Sequence, residues 1–268
     1  MYEEFYGLRE APFNKTPDPR FLYLGKDHGE ALARLLFAVE KQEMVLTTGP
    51  VGAGKTTLSR ALMDQLGDDY RCFFLVNPRL SPLEFLRTVA LRLQVVDPPR
   101  SKADVLEKIE EALFGFFRQG IRPVLIIDEI QLISNKDTFE EIRLLTNFQL
   151  DDRNLLCIIL LGLPEVRRRM KHPSFASLWQ RIGLHYSLKP LSVGETEAYL
   201  QHRWQVAAGT EKVFDNDSVK EIHRLSGGLP RLINHTANLA LLEAFGRDSQ
   251  IVNGDIVQAI ETELNMQG

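Results

Sequence analysis

Apolar residues along the chain follow two rhythms. Short continuous runs, MVLTT (44–48), RCFFLV (71–76), PVLII (123–127), LLCIILL (155–161) and LHYSL (184–188), are bounded by polar or glycine-rich stretches. Between them, apolar positions recur at helical spacing. Leu32, Leu35, Leu36 and Val39 form one stripe; Leu58, Ala61, Leu62 and Leu66 a second; Val105, Ile109, Leu113 and Phe116 a third; Ile142 and Leu145 a fourth. Continuous runs predict strands buried on both faces. Their alternation with amphipathic helices predicts a five-stranded parallel sheet covered on both sides, an α/β core. After about residue 191 the strand-like runs stop. SVGETEAYLQHRWQVA, DNDSVKEIHRLSG, LPRLINHTANLALLEAF and NGDIVQAIETEL each read as a helix with a polar start. The predicted organisation is a Pro- and aromatic-rich lead-in over 1–27, an α/β core over 28–190 and a small all-helical domain over 191–268.

Composition narrows the class. The 268 residues are 44% hydrophobic and 25% charged, as in ordinary soluble proteins. The longest apolar stretch, Leu155 to Leu163, is strand-sized and far short of the roughly 20 residues that cross a bilayer. The acidic, aromatic start (MYEEFYGLRE) is unlike a signal peptide. Cys72 and Cys157 both lie in apolar runs and read as buried, reduced thiols of a cytoplasmic protein. A net charge of −4 gives no global pull toward nucleic acid.

Chemistry enters at TTGPVGAGKTTL (47–58). Gly49, Gly54, Lys55 and Thr56 fit G-x-x-x-x-G-K-[ST], with a predicted strand before and a helix after. In such a loop the backbone of Gly49, Pro50, Val51, Gly52, Ala53, Gly54, Lys55, Thr56 and Thr57 wraps nucleotide phosphates at a helix N-terminus. Lys55 neutralises β/γ-phosphate charge and Thr56 ligates Mg²⁺, which makes ATP and Mg²⁺ the expected ligands. VLIIDE (124–129) supplies the second piece. A buried strand delivers Asp128 to its C-terminal end as a Mg²⁺ ligand, with Glu129 next to it to polarise a water toward the γ-phosphate. An activated water would compete with an acceptor substrate, so the pair favours hydrolysis over small-molecule phosphorylation.

Three further positions refine this reading. Asn77 ends the second strand, either as a turn former before Pro78 or as an amide that holds Glu129 inactive. Arg181, just before the fifth strand, is either solvated or reaches a neighbouring subunit's γ-phosphate. Arg231 in GGLPRLIN lies in a first helical turn, where a cation is not naturally favoured, which gives it reason to point at phosphates instead.

Together GPVGAGKTT, LIIDE, QRI and GGLPRLIN resemble an AAA+ ATPase, a P-loop NTPase core with a helical lid. The opening FYGLREAPFNKTPDPRFLYLGKDHGEAL and SGGLPRLIN resemble the general-secretion-pathway A (ExeA-like) family over nearly the whole chain. The resemblance implies Asp128 and Glu129 as the Walker B pair, Asn77 as a glutamate switch, Arg181 as an arginine finger acting in trans and Arg231 as sensor 2. It also implies that the lead-in lies near the adenine, with His28 to Ala31 close by. Where the family has a glutamine after the fourth strand, this chain has Leu163 in GLPEV, so a polar sensor-1 contact is not carried over. Long members continue into a membrane span and a peptidoglycan-binding domain; the sequence stops at Gly268 before either, and cell-wall binding is not carried over.

NPRLSPLEFL, after the second strand, lacks the aromatic–hydrophobic–Gly tip of a threading pore loop. The reading favoured is a homo-oligomeric assembly factor, ring or filament, for a secretion, pilus or exopolysaccharide machine, with an envelope-machinery protein as partner. A DNA-binding ATPase helper resembling transposition regulators is the alternative, motivated by Arg167, Arg168, Arg169 and Lys171. A nucleotide switch without significant turnover is the third, motivated by Leu163. His185, His202, His223 and His235 show no metal-ligand spacing, and Trp179 and Trp204 read as packing residues.

Overall fold

Five strands, β1 (Met44–Thr48), β2 (Tyr70–Leu75), β3 (Arg122–Ile127), β4 (Cys157–Gly162) and β5 (Ile182–Ser187), form one fully parallel sheet. Their order is β2-β3-β4-β1-β5, so β4 is inserted between the strands that carry the two motifs. The computed structural model describes residues 2–14 and 18–261. Each predicted strand is present, displaced by at most two residues. The three central strands are apolar throughout because both their faces are covered: β1 and β4 are buried at every position and β3 at all but its first. The edge strands β2 and β5 are only partly buried, which matches their mixed composition.

The described residues also form twelve helices. They are α1 (Tyr2–Phe5), α2 (Lys26–Lys41), α3 (Lys55–Gln65), α4 (Pro82–Arg92), α5 (Lys102–Arg118), α6 (Lys136–Leu145), α7 (Pro164–Met170), α8 (Ala176–Arg181), α9 (Val193–Val206), α10 (Asn216–Ser226), α11 (Pro230–Gly246) and α12 (Gly254–Ala259). The end of the predicted last helix, residues 262–264, lies outside the described residues. Helix α4 is absent from the sequence-based expectation, although its start is well marked. Ser81 and Glu84 form a reciprocal capping box, with Pro82 opening the helix.

The described residues divide into two compact units: a sheet unit of Gly29–Pro50 and Leu58–Leu188, and a helical unit of the chain up to His28, Val51–Thr57 and everything from Lys189 on. The sheet unit is centred on Leu46, Leu125, Ile127, Ile158 and Leu160, with Phe85, Ile109, Leu113, Phe139 and Ile142 packed from the helices. Cys157 is buried there with its thiol pushed up by burial; burial likewise pushes Cys72 up to about 11. Both thiols therefore stay protonated near neutral pH.

The helical unit takes the lead-in into its own core. Tyr2, Leu8, Phe13 and Phe21 pack with Tyr199, Trp204, Phe214, Ile233 and Leu241. Arg203 fixes this arrangement. It is buried, donates from Nε to the Pro12 carbonyl (2.7 Å) and from Nη1 to the Tyr199 hydroxyl (3.2 Å), and lies 4.8 Å over the Phe21 ring. Substituting Arg203→Met keeps the aliphatic stem but leaves a buried carbonyl unpaired and removes the cation from the ring. It is expected to destabilise the helical unit by about 3 kcal/mol. Urea unfolding followed by Trp204 fluorescence in a Trp179→Phe background reads this directly, because Trp179 belongs to the sheet unit.

Candidate nucleotide site

The parallel strands end nearly level. Thr48 pairs with Gly162 and Ser187, Leu75 with Ile127, and Ile127 with Leu160. The chain therefore leaves β1 at Gly49, β3 at Asp128 and β4 at Leu163 along one carboxyl edge, the edge at which open α/β sheets present ligands. Gly49 is tied to that edge by its N–H on the Gly162 carbonyl (3.1 Å).

Asp128 is buried, and its Oδ1 accepts the Glu129 N–H at 2.8 Å. Glu129 itself has φ +55°, left-handed backbone that few residues other than glycine adopt. Its carboxylate Oε2 accepts from Gln131 Nε2. Asn77, one of the predicted site residues, is exposed; its Oδ1 accepts the Arg79 N–H at 3.4 Å, as a turn former does. The amide that meets Glu129 in this structure is that of Gln131, a residue the sequence reading did not single out.

Arg181 is exposed at the end of α8, where Nη2 donates to Asn147 Oδ1 at 3.3 Å. It immediately precedes β5, whose first residue, Ile182, pairs with Met44 at the start of β1. Arg181 thus stands at the amino edge of the sheet. Five residues of β1 separate that edge from Gly49, about 16 Å at the rise of a parallel strand. Beside it lies a groove of about 270 Å³ lined by Gln42, Glu43, Asn154, Gln180 and Arg181.

The four basic residues of the α7 region do not make one face. Arg169 lies over Phe139 and Phe175 (5.0 and 5.5 Å) and donates to the Ile133 and Ser134 carbonyls, a packing role. Arg167 turns to Ser187 Oγ (3.5 Å). His185 is stacked on Trp179 (centroids 4.1 Å apart); burial, then Arg167 and Lys171, hold it below the usual imidazole range, so it stays neutral.

In the helical unit, the loop from Val51 to Thr57 has its own environment. Gly52 (φ +78°) and Gly54 (φ +92°) both take backbone conformations that side chains disfavour. At Gly52 there is also no room: a Cβ would fall 2.7 Å from Arg231 Cβ. Arg231 sits on this turn, its N–H donating to the Gly52 carbonyl at 3.2 Å. It lies in the first turn of α11, behind the left-handed Gly227 and Gly228. Ala53 is buried, and its carbonyl accepts from His28 Nε2 at 2.8 Å. That leaves the buried His28 Nδ1 without a partner among the described residues. Lys55 is buried at the first position of α3, Thr56 is exposed and Thr57 half-buried. Val51 is 60% exposed.

These residues fit a nucleoside triphosphate. Two positive-φ glycines shape the loop, the loop feeds a helix N-terminus, and a buried lysine stands at that terminus. Among the described residues, no group of three His, Cys, Asp or Glu side chains could hold a metal by itself. Mg²⁺ is commonly held by one or two protein ligands together with phosphate oxygens and water, and Asp128 and Thr56 are oxygen donors of that kind.

Comparison with known proteins agrees with the geometry. Residues 39–170 match the AAA domain family. The chain is 39% identical to general secretion pathway protein A of Aeromonas hydrophila over 259 residues, 96% of this chain; it spans about half (47%) of that relative's length. Solved structures share the fold at low identity. They include Cdc6p of Pyrobaculum aerophilum (TM-score 0.68, 16% identity, 90% of this chain and 67% of that one) and the Aeropyrum pernix ORC2 protein (0.69, 15%, 96% and 72%). The Thermotoga maritima RuvB Holliday junction branch migration motor is another (0.60, 20%, 89% and 69%). Residues 39–170 thus carry an AAA domain, and along nearly its whole length the chain is similar to general secretion pathway protein A.

Proposed function

We propose that the chain is a Mg²⁺-dependent ATPase that works as a homo-oligomer and directs the energy of hydrolysis to the assembly or remodelling of a bacterial envelope machine for secretion, pili or exopolysaccharide. Residues 49–57 and Arg231 hold the triphosphate, and Thr56 and Asp128 hold Mg²⁺, which when bound neutralises phosphate charge. Glu129 accepts a proton from the attacking water through its carboxylate. Arg181 of a neighbouring copy completes the charge stabilisation at the γ-phosphate. The observation that carries this reading is the position of Arg181 at the sheet edge opposite to the one from which Gly49 and Asp128 emerge. An exposed cation on that edge is suited to a neighbour's nucleotide rather than to its own. Kinship with general secretion pathway protein A supports the envelope destination. Among the described residues no helix is long and apolar enough to cross a membrane.

Sedimentation velocity of the Glu129→Gln variant with Mg·ATP and a fluorescent DNA duplex tests the proposal. Nucleotide-dependent oligomers that leave the duplex behind are expected, because Arg169 is committed to Phe139 and Phe175. Oligomers that carry the duplex, with affinity falling steeply in salt, would replace the envelope reading with the DNA one. A monomer at every nucleotide concentration would remove the role given to Arg181.

A further inference from the structure

Gln131 stands between two groups on the carboxyl edge of the sheet unit. Its Oε1 accepts the backbone N–H of Leu163 at 3.2 Å, in the turn from β4 to α7, and its Nε2 donates to Glu129 Oε2. A carboxamide has one acceptor end and one donor end, so the two partners fix its orientation together. The flipped amide would set N–H against N–H at Leu163 and oxygen against oxygen at Glu129. The absence of a side chain at Gly162 leaves room for the Gln131 side chain. Gly162 lies directly beneath it, where a Cβ would come within 2.7 Å of Ile130 Cγ1 and 3.3 Å of Gln131 Oε1. The other carboxylate oxygen of Glu129, Oε1, accepts no hydrogen bond among the described residues.

We propose that Gln131 is a positioning residue for Glu129: its carboxamide, anchored on the Leu163 N–H, holds Oε2 and leaves Oε1 as the oxygen presented to water. The same bridge couples the Glu129 carboxylate to the turn after β4 through a backbone N–H, at a position whose own side chain, Leu163, is apolar. Movement of that turn would then be felt at Glu129 without a polar side chain at 163. This inference rests on the reading of Glu129 as the proton acceptor.

Two substitutions cut the bridge at different points. Gln131→Met keeps side-chain length and packing on Gly162 but neither donates nor accepts. Leu163→Pro deletes the N–H together with the leucine side chain, which takes no part in the bridge, and the φ of −80° at Leu163 suits proline. Each is expected to lower kcat about 10- to 100-fold, with KM and the Kd for a fluorescent ATP analogue within about two-fold of the unaltered protein. Since both remove one bridge, the double variant is expected to turn over no more than about two-fold slower than the slower single one, rather than at the product of the two losses. Multiplicative losses, or a matching rise in KM, would overturn the proposal. Turnover by Gln131→Met at the unaltered rate, alongside an inactive Glu129→Gln, would also overturn it and leave Glu129 in place. A fully active Glu129→Gln would instead remove the reading beneath it. Should Leu163→Pro fail to fold, the kcat and KM of Gln131→Met, with an unchanged thermal midpoint, decide alone.

Discussion

Glu129→Gln is expected to lower ATP turnover by about two to four orders of magnitude, the span associated with loss of a general base. Nucleotide affinity should hardly change. The amide keeps the size of the carboxylate and can still accept from Gln131 Nε2, while Lys55, Asp128 and Arg231 are untouched. Steady-state hydrolysis beside equilibrium binding of a fluorescent ATP analogue separates the two quantities. A loss of affinity equal to the loss of rate would mean that Glu129 serves binding rather than the proton. Residual turnover near the unaltered rate would favour the nucleotide-switch reading, in which hydrolysis is incidental.

Arg181→Ala is expected to be about as damaging, with roughly 10³-fold slower hydrolysis, the lower end of what arginine fingers contribute. Its distinguishing property is complementation. A chain with Arg181→Ala keeps Glu129, and a chain with Glu129→Gln keeps Arg181. When the two inactive proteins are mixed in equal amounts, half the chains retain Glu129 and half the neighbours retain Arg181. About a quarter of the interfaces are then complete, and activity should recover toward that fraction. No recovery, under conditions where mixed oligomers are demonstrated, would place Arg181 in a structural role through its bond to Asn147.

Much of the sheet unit was legible from sequence because its strands are buried on both faces, which forces apolar runs such as Val124–Ile127 and Cys157–Leu161. The helical unit was legible through its caps: Ser192, Asp215 and Asn253 each accept a backbone N–H at a helix start. Helix α4 is marked in sequence only by its start, the capping box of S-P-L-E within NPRLSPLEFL. The destination of the lead-in was not legible either. Phe13 meets Phe214, and Arg203 meets the carbonyl of Pro12, contacts across about two hundred residues of sequence that no local pattern encodes.

The candidate site divides along the same line. Motif residues 49–57, Asp128 and Glu129 announce themselves by spacing. Gln131 does not, because its meaning depends on Leu163, thirty-two residues away, and on the close approach to Gly162 that a Cβ would obstruct. The surroundings of Arg167, Arg168, Arg169 and Lys171 are hidden for a related reason. Sequence shows a run of like charge, while folding sends Arg169 onto two aromatic rings.

The left-handed backbone of Glu129 has a consequence for anyone evolving this protein in the laboratory. A Glu129→Gly substitution would relieve about 1 kcal/mol of conformational penalty. A library screened for heat tolerance alone would therefore drift toward that substitution and enrich catalytically silent clones. Retaining turnover would require a second, activity-based sieve at every round.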